Sequence, residues 1–542
     1  MTHPPPSPPQ DPSRLRRWAP WLAVAGVFLL LRALLACFTY APAVDAVRYL
    51  SLGELYMRGA WREALANHYH PLYPLLLGAV TAPFEHPEIP ARILSLLLSA
   101  LSLIPLGVLA NAYGGKRTAL ATLALFAVFP HHVQISVQIL TEPLFLLLVL
   151  VQCAGALKAL QTWRWRYGIL AGFAAGAAYL TRPEGALPLL AFGAASLLPL
   201  RGGERDGTAA KTPSLARRLL PLLAALPAFL LLAAPYMAWT GGITPKKSVA
   251  RLAGSGPYRP VEPVPRAHPP RPAPDRTPGP EKTGDASRPV IPHWATVGKD
   301  PDHLARETPV RFPPWEALKR FSKAGHVLIP LLILIGFAGG RWKRRPLRLD
   351  LYFLLLVLLR FALVGVLLAA YRYASLRHAL PGLVTALPLA GQALMDLWRE
   401  AGRLGKPGLG RGFLAVWGVL FGIFFVQQSL MPLRYPKRYL RRTGEALQAH
   451  MDPGEVVLSD DPRIAWYAGG RFVHLGIVDA ETLVRLAREH GVGVLVTTEK
   501  ELARRVPDFE RSLRGGWWRR IEVEGAGKGT PYEPVAYLFT DR

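Results

Sequence analysis

The feature that most constrains this chain is a series of apolar runs, each long enough or nearly long enough to cross a lipid bilayer. Trp18–Tyr40, Leu219–Trp239, Leu351–Tyr371, Phe413–Leu430 and the stretch around Val327–Gly339 are of this kind. A membrane-spanning helix needs roughly 20 such residues. A soluble chain of 542 residues would instead divide into domains, each with its own polar surface. Hydrophobic residues make up 51% of the chain and charged residues only 19%.

The charge that remains is strongly basic, with 64 Lys and Arg against 37 Asp and Glu, a net +27. Such a surplus could point to nucleic acid, but its placement points to a membrane. Lys116 with Arg117, Arg164 with Arg166, Arg201–Arg218, Arg341–Arg348 and Arg399–Arg411 are short clusters between apolar runs. That is where the positive-inside rule puts cytoplasmic loops, with anionic lipid headgroups as partners and no nucleic acid. The two cysteines, Cys37 and Cys153, lie far apart in apolar segments and form neither a disulfide framework nor a metal spacing.

Residues 1–18 are Pro-rich, then basic, and read as a cytoplasmic start before an uncleaved first helix. Alternating the clusters across the membrane predicts helices at 19–40, 90–112, 117–132, 138–160, 167–181, 184–200, 217–239, 322–340, 349–371, 379–397 and 412–430. The short apolar piece 71–84 leaves the count between eleven and thirteen. The expected fold is an α-helical integral membrane bundle over 19–430, with loops 41–90 and 240–321 on the outer side. The long loop is Pro-rich over Gly256–Pro280. The tail 431–542 alternates helical and β-branched segments and reads as a small extracytoplasmic α/β domain. It has no Gly-rich phosphate loop after a strand, so a scaffolding or acceptor-orienting role fits it better than a second active site.

Ionisable groups beside apolar spans are functional candidates. Asp45 and Tyr49 share a helical face just past the first span; the carboxylate suits a general base or an ordinary helix start. His68 and His70 lie in NHYHPLYP, able to bind metal or phosphate, or to be plain loop histidines. Glu142 in LTEPLF either initiates a helix or orients a ligand. Arg182 in LTRPEG either holds a phosphate or pairs with Glu184. Arg372, Arg377 and His378 precede an apolar span on the outer side, where positive charge runs against the topology rule. Lys246 and Lys247 follow the seventh span. All fall on one membrane face.

The order of these segments resembles the polytopic GT-C glycosyltransferases. The similar branch contains protein O-mannosyltransferases, aminoarabinose transferases and lipopolysaccharide sugar transferases. The residues that carry the resemblance are Asp45 with Tyr49, His70–Pro74, Thr141–Pro143, Gly172–Glu184 and Arg377–Pro381. It covers roughly residues 15–430. Ala46 stands where many relatives have a second acid, and a single Pro follows His70 where relatives often have two. A divalent cation therefore lacks a clear ligand set.

The resemblance implies a GT-C bundle in a bacterial inner membrane, with active site and tail domain on the periplasmic face. It implies transfer of a sugar from a polyprenyl-phosphate-linked donor to a lipid, glycan or protein acceptor, with inversion. Asp45 would act as base. Tyr49, His70, Glu142, Arg182, Lys246, Arg377 and His378 would line the site, the cations meeting the donor phosphate. A polysaccharide polymerase or ligase using a lipid-linked donor is the near alternative. A multi-spanning transporter or flippase is the distant one; it predicts mid-helix charges and an internal repeat, and the sequence is read as having neither.

Overall fold

The computed structural model describes residues 12–197, 213–244, 295–297, 312–339, 347–371, 374–403, 407–434, 437–452, 454–523 and 534–540. In chain order the first helices are α1 Pro12–Cys37, α2 Val44–Met57, α3 Trp61–Leu65, α4 Leu72–Thr81, α5 Glu88–Leu101 and α6 Leu103–Gly114. Then come α7 Lys116–Val128, α8 Pro130–Ser136, α9 Glu142–Thr162, α10 Trp165–Tyr179, α11 Leu187–Leu197 and α12 Leu215–Thr240. After strand β1 (Ala295–Val297) follow α13 Pro313–Ala324, α14 Leu328–Ala338, α15 Leu347–Tyr371, α16 Leu380–Ala401 and α17 Pro407–Ser429. The tail supplies α18 Tyr439–Leu447, β2 Val456–Ser459, α19 Pro462–Ala468, β3 Arg471–Leu475, α20 Ala480–His490 and β4 Val492–Thr498. It ends with α21 Glu499–Arg505, α22 Phe509–Arg514, β5 Trp518–Ile521 and β6 Pro534–Phe539.

The chain divides into two compact units. One comprises Met1–Thr39, Arg92–Tyr236 and Val310–Leu433; the other comprises Tyr40–Ala91, Met237–Pro309 and Arg434–Arg542.

The first unit is a bundle of apolar helices. Among the described residues seven helices are long and apolar enough to cross a membrane, or nine if each of two bent pairs is one span. This is a multi-pass membrane protein. The α9 and α16 spans are enclosed, 78% buried each, whereas that of α17 is 6% buried. On α17, Leu409, Phe413 and Ile423 point outward, as lipid-facing side chains do.

Each expected span coincides with an apolar helix or helix pair, but α10 and α11 are only 15 and 11 residues long. The span expected at 138–160 starts at Glu142, where Pro143 fills a first-turn position that needs no N–H donor. Two spans expected to be straight are broken. α7 and α8 meet at 64°, and α13 and α14 at 103°. The first break falls at Pro130, which opens α8.

Small residues let the bundle close. Gly168, Gly172 and Gly176 repeat every four residues on α10 and face Pro221, Ala225 and Phe229 of α12. A Cβ on Gly172 would sit 2.8 Å from the carbonyl carbon of Ala225. Helices in lipid associate by such close backbone approach.

The expectation of no mid-helix charge is corrected at Arg32 and Arg360. Arg32 lies within α1 and is 0% exposed. It donates from Nη1 to the carbonyls of Phe28 and Ala127, both at 2.9 Å, and from Nη2 to His132 Nδ1 at 2.8 Å. Its guanidinium stacks 3.4 Å from the centre of the Phe28 ring. A cation in an apolar bundle is tolerable when so satisfied, and this one clamps α1 to the α7–α8 break.

The second unit contains the tail's α/β fold. Its sheet runs β1-β3-β2-β4-β6-β5, with the β1–β3, β3–β2 and β2–β4 pairs parallel and the other two antiparallel. β4 is buried at every position, as a strand covered on both faces must be. The expected strands and helices are present. The sequence reading missed α19, β3 and α22, and β1 joins the sheet from the long loop.

Gly172→Val forces a branched side chain into Ala225 of α12. A loss of about 2 kcal/mol or more is expected, read as a lower unfolding midpoint in detergent. Gly26→Val is the control, because nothing lies within 4 Å of a Cβ there.

Candidate active site

The candidate residues that the structure describes fall into two groups, one in each unit. Lys246 and Arg372 lie outside the described residues.

The first group centres on Arg182. The chain leaves α10 through Thr181, and the residue before a proline is driven into extended backbone; Arg182 has φ −155° and ψ 137°. Its side chain is thereby turned out of the helical path and meets two acids. Nη1 bonds Glu142 Oε1 at 2.7 Å, and Nε bonds Glu184 Oε1 at 2.6 Å. Glu142, the first residue of α9, is 3% exposed. Arg377 Nη1 approaches the same Glu142 oxygen at 3.5 Å, with its side chain 31% exposed. So both readings of Arg182 meet in one place: it is paired with Glu184, and it belongs to a cationic cluster.

Arg360 is the member that the sequence reading passed over. It is a charge within the apolar helix α15, 4% exposed, and an ionisable residue inside a span was the signal available. Its Nη2 lies 3.4 Å from the Glu184 carbonyl. The guanidiniums of Arg182 and Arg360 lie 5.6 and 5.2 Å from the Phe145 ring centre. One aromatic ring, one turn along α9 from Glu142, thus packs against two cations.

His378 is held by Ser375, whose Oγ and carbonyl lie 3.2 and 3.3 Å from its Nδ1. Burial, reinforced by the charge of Arg182, pushes its pKa down to about 4. It is a neutral imidazole at neutral pH, so it contributes hydrogen bonds and no charge.

The second group gathers on α2 and the loop after it. Asp45 is half-buried in the first turn of α2. The Tyr69 hydroxyl donates to its Oδ1 at a long 3.5 Å. Tyr49, one turn on, makes edge contacts with Tyr69 at 5.1 Å and Tyr73 at 5.2 Å. α2 and α4 touch backbone to backbone at Gly53 and Gly78. His70 is 2% exposed and hydrogen-bonds Thr244 Oγ1 through Nε2 at 3.0 Å. Tyr69 was absent from the sequence-derived set, although it adjoins His70.

The tail domain braces this segment. Arg463 pairs with Asp461 at 2.5 Å and donates from Nη1 to the Pro42 carbonyl at 3.0 Å. Arg434 reaches the Ala41 carbonyl at 3.3 Å, and the Tyr467 hydroxyl reaches Glu88 at 3.1 Å. Burial alone would raise Asp461, but Arg463 overrides it and holds the carboxyl below its ordinary range. That charge fixes Arg463 on the carbonyl of Pro42, three residues ahead of Asp45. Among the described residues no three His, Cys, Asp or Glu side chains gather as metal ligands would.

Residues 68–239 match the family described as dolichyl-phosphate-mannose-protein mannosyltransferase. Among solved structures, ArnT from Cupriavidus metallidurans bound to undecaprenyl phosphate is similar at 14% identity and a TM-score of 0.60, over 96% of this chain and 98% of that one. The apo form gives 13% and 0.59, over 97% and 98%. The Archaeoglobus fulgidus oligosaccharyltransferase AglB, in complex with an inhibitory peptide and a dolichol-phosphate, gives 12% and 0.53, over 93% and 73%. The chain has the GT-C fold. Comparison with curated protein sequences gives no match. The GT-C likeness spans both units of the chain, whereas the family match covers only residues 68–239.

The lowered pKa of His378 has a consequence for stability. Between about 6.5 and about 4 the unfolded chain binds a proton that the folded site refuses. The stabilisation is therefore full above about 6.5 and is lost as pH falls through that window. His378→Gln is expected to flatten this part of the unfolding-midpoint profile between pH 7 and 4.

Proposed function

We propose that this protein is a membrane glycosyltransferase that takes a sugar from a polyprenyl-phosphate-linked donor and transfers it to an acceptor hydroxyl. The observation that carries this reading is the buried charge cluster. Among its described members, three guanidiniums (Arg182, Arg360 and Arg377) face two carboxylates (Glu142 and Glu184), and His378 is neutral. Surplus positive charge in a low-dielectric setting favours an anion. Except for Arg360, its members sit at the starts of apolar helices, which suits an anion carried on a lipid. Arg377, the most exposed of the three, is the natural first contact for the donor phosphate.

Asp45 is the base in this reading. It takes the proton of the acceptor hydroxyl, whose oxygen forms a bond to the anomeric carbon. The bond from that carbon to the phosphate oxygen breaks, and its electron pair leaves with the phosphate. Attack opposite the leaving group inverts the anomeric centre. Phosphate is already a good leaving group, so the cations stabilise its growing charge and no general acid is needed. Tyr69 and Tyr49 hold the surroundings of the carboxylate, and Glu142 fixes the direction of the Arg182 and Arg377 donors. The likeness to ArnT and AglB structures that hold polyprenyl phosphates supports a lipid-phosphate donor. The positive-inside distribution supports action at the outer, periplasmic face of a bacterial inner membrane. The acceptor is a lipid, glycan or protein.

Asp45→Asn and Arg377→Gln separate the two roles. Asp45→Asn should lower kcat by about 10²–10⁴, the range for loss of a general base, while undecaprenyl-phosphate binding stays within about twofold. Arg377→Gln should weaken that binding about tenfold, worth one charge-assisted contact. The measurements are sugar transfer from labelled undecaprenyl-phosphate donors and lipid binding in nanodiscs. Equal transfer by wild type and Asp45→Asn overturns the assignment of the base.

A further inference from the structure

Both broken membrane spans carry a histidine at the break. Between α7 and α8, Phe129 leaves helical backbone, Pro130 restarts the helix, and His131 follows. Between α13 and α14, His326 and Val327 take left-handed φ values of 50° and 60°. That conformation is strained for a β-branched residue such as valine. Irregular backbone at membrane depth persists where protein encloses it or where it lines a polar cavity. Broken helices build ligand sites in membrane proteins for that reason.

The surroundings of the two histidines fit this pattern. The His131 ring is half-buried, and its buried Nε2 has no hydrogen-bond partner among the described residues. An orphaned buried nitrogen is costly and calls for a partner that arrives with a ligand. α8 packs against the start of α9 and, through Val133, against Val426 of α17, next to the Phe425 that His326 meets, so the two breaks share α17 as a neighbour. The His326 ring packs against Phe424 and Phe425 of α17, at 5.9 and 5.8 Å between centres.

The chemistry narrows what can bind. Glu142 is already engaged by two guanidiniums. A cation is repelled by Arg377, and an anion is met by Arg377 itself. What suits the imidazole nitrogen is a neutral group that can donate and accept, as sugar hydroxyls do.

The geometry points to a sugar subsite between the two helix breaks, where His131, with His326 beside it, hydrogen-bonds hydroxyls of the sugar carried next to the phosphate. It rests on the lipid-linked donor reading and adds the residues that recognise the sugar.

The test compares binding of bare undecaprenyl phosphate with its glucose- and mannose-bearing forms, using the full chain in nanodiscs. His131→Phe should weaken the preferred sugar-bearing lipid about tenfold and leave bare undecaprenyl phosphate within about twofold. His131→Gln, which keeps a hydrogen-bonding group, should recover most of the loss, whereas Arg377→Gln should weaken every lipid. If His131→Phe does not fold, His326→Gly, which tolerates left-handed backbone and removes the ring, should show the same selective loss. The subsite is overturned if these variants weaken bare and sugar-bearing lipids alike or weaken neither, or if wild type binds sugar-bearing lipids no better than bare. If wild type binds none of the lipids, the donor reading itself fails, and the subsite with it.

Discussion

The fork at Arg182 is the interaction on which the rest of the first unit's chemistry depends. One guanidinium holds two carboxylates from two places in the chain, at 2.7 and 2.6 Å. It ties the start of α9 to the short turn between α10 and α11. A buried ion pair gains little over an apolar contact, but losing one partner strands a charge in the bundle. The arrangement is therefore all or nothing, and it fixes directions. Glu142 is held so that its carboxylate also receives Arg377, and Glu184 is held so that its carbonyl lies against Arg360. Phe145 fills the space beneath both cations. A site preorganised in this way does not need to reorganise when an anion arrives, which is what electrostatic stabilisation of a leaving phosphate requires.

The proposed base works under the opposite requirement. In the proposed role Asp45 has to be reached by an acceptor hydroxyl. It is half-buried and accepts a hydrogen bond from the Tyr69 hydroxyl at 3.5 Å. What is rigid is its support. The carbonyls of Ala41 and Pro42 are caught by Arg434 and Arg463, and Arg463 is in turn set by the Asp461 carboxylate. The tail domain thereby holds the loop that carries the proposed base.

Much of this was legible in the sequence because it rests on length and on proline. Twenty-residue apolar runs have one stable destination, and Thr-Glu-Pro and Thr-Arg-Pro-Glu mark an acid and a base beside helix starts. What escaped the sequence depends on direction and pairing. Arg360 reads as one charge in an apolar helix until α15 is seen to turn it toward Glu184. His131 and His326 look like ordinary residues in apolar segments, because neither break carries a signal strong enough to stop a span on paper. Arg471–Leu475 is a five-residue strand between Gly470 and Gly476, too short to declare itself before β1 and β2 are seen on either side of it.

The mid-helix cations bear on what kind of membrane protein this is. Intramembrane charge is often a sign of a transport path, and Arg32 and Arg360 supply it. Their surroundings argue otherwise. Arg32 is 0% exposed, bonded to two carbonyls and an imidazole, and stacked on a phenyl ring. Arg360 is packed against Phe145 and directed at a main-chain carbonyl. A carrier's charge must change partners as its cargo moves, whereas a stacked and multiply bonded guanidinium resists such exchange. The more exposed cation, Arg377, belongs to the Glu142 cluster at the start of apolar helices, where a lipid headgroup would lie. Charge that is fixed within the bundle and more accessible at its edge suits a protein that holds a lipid-borne anion during chemistry better than one that passes an ion through.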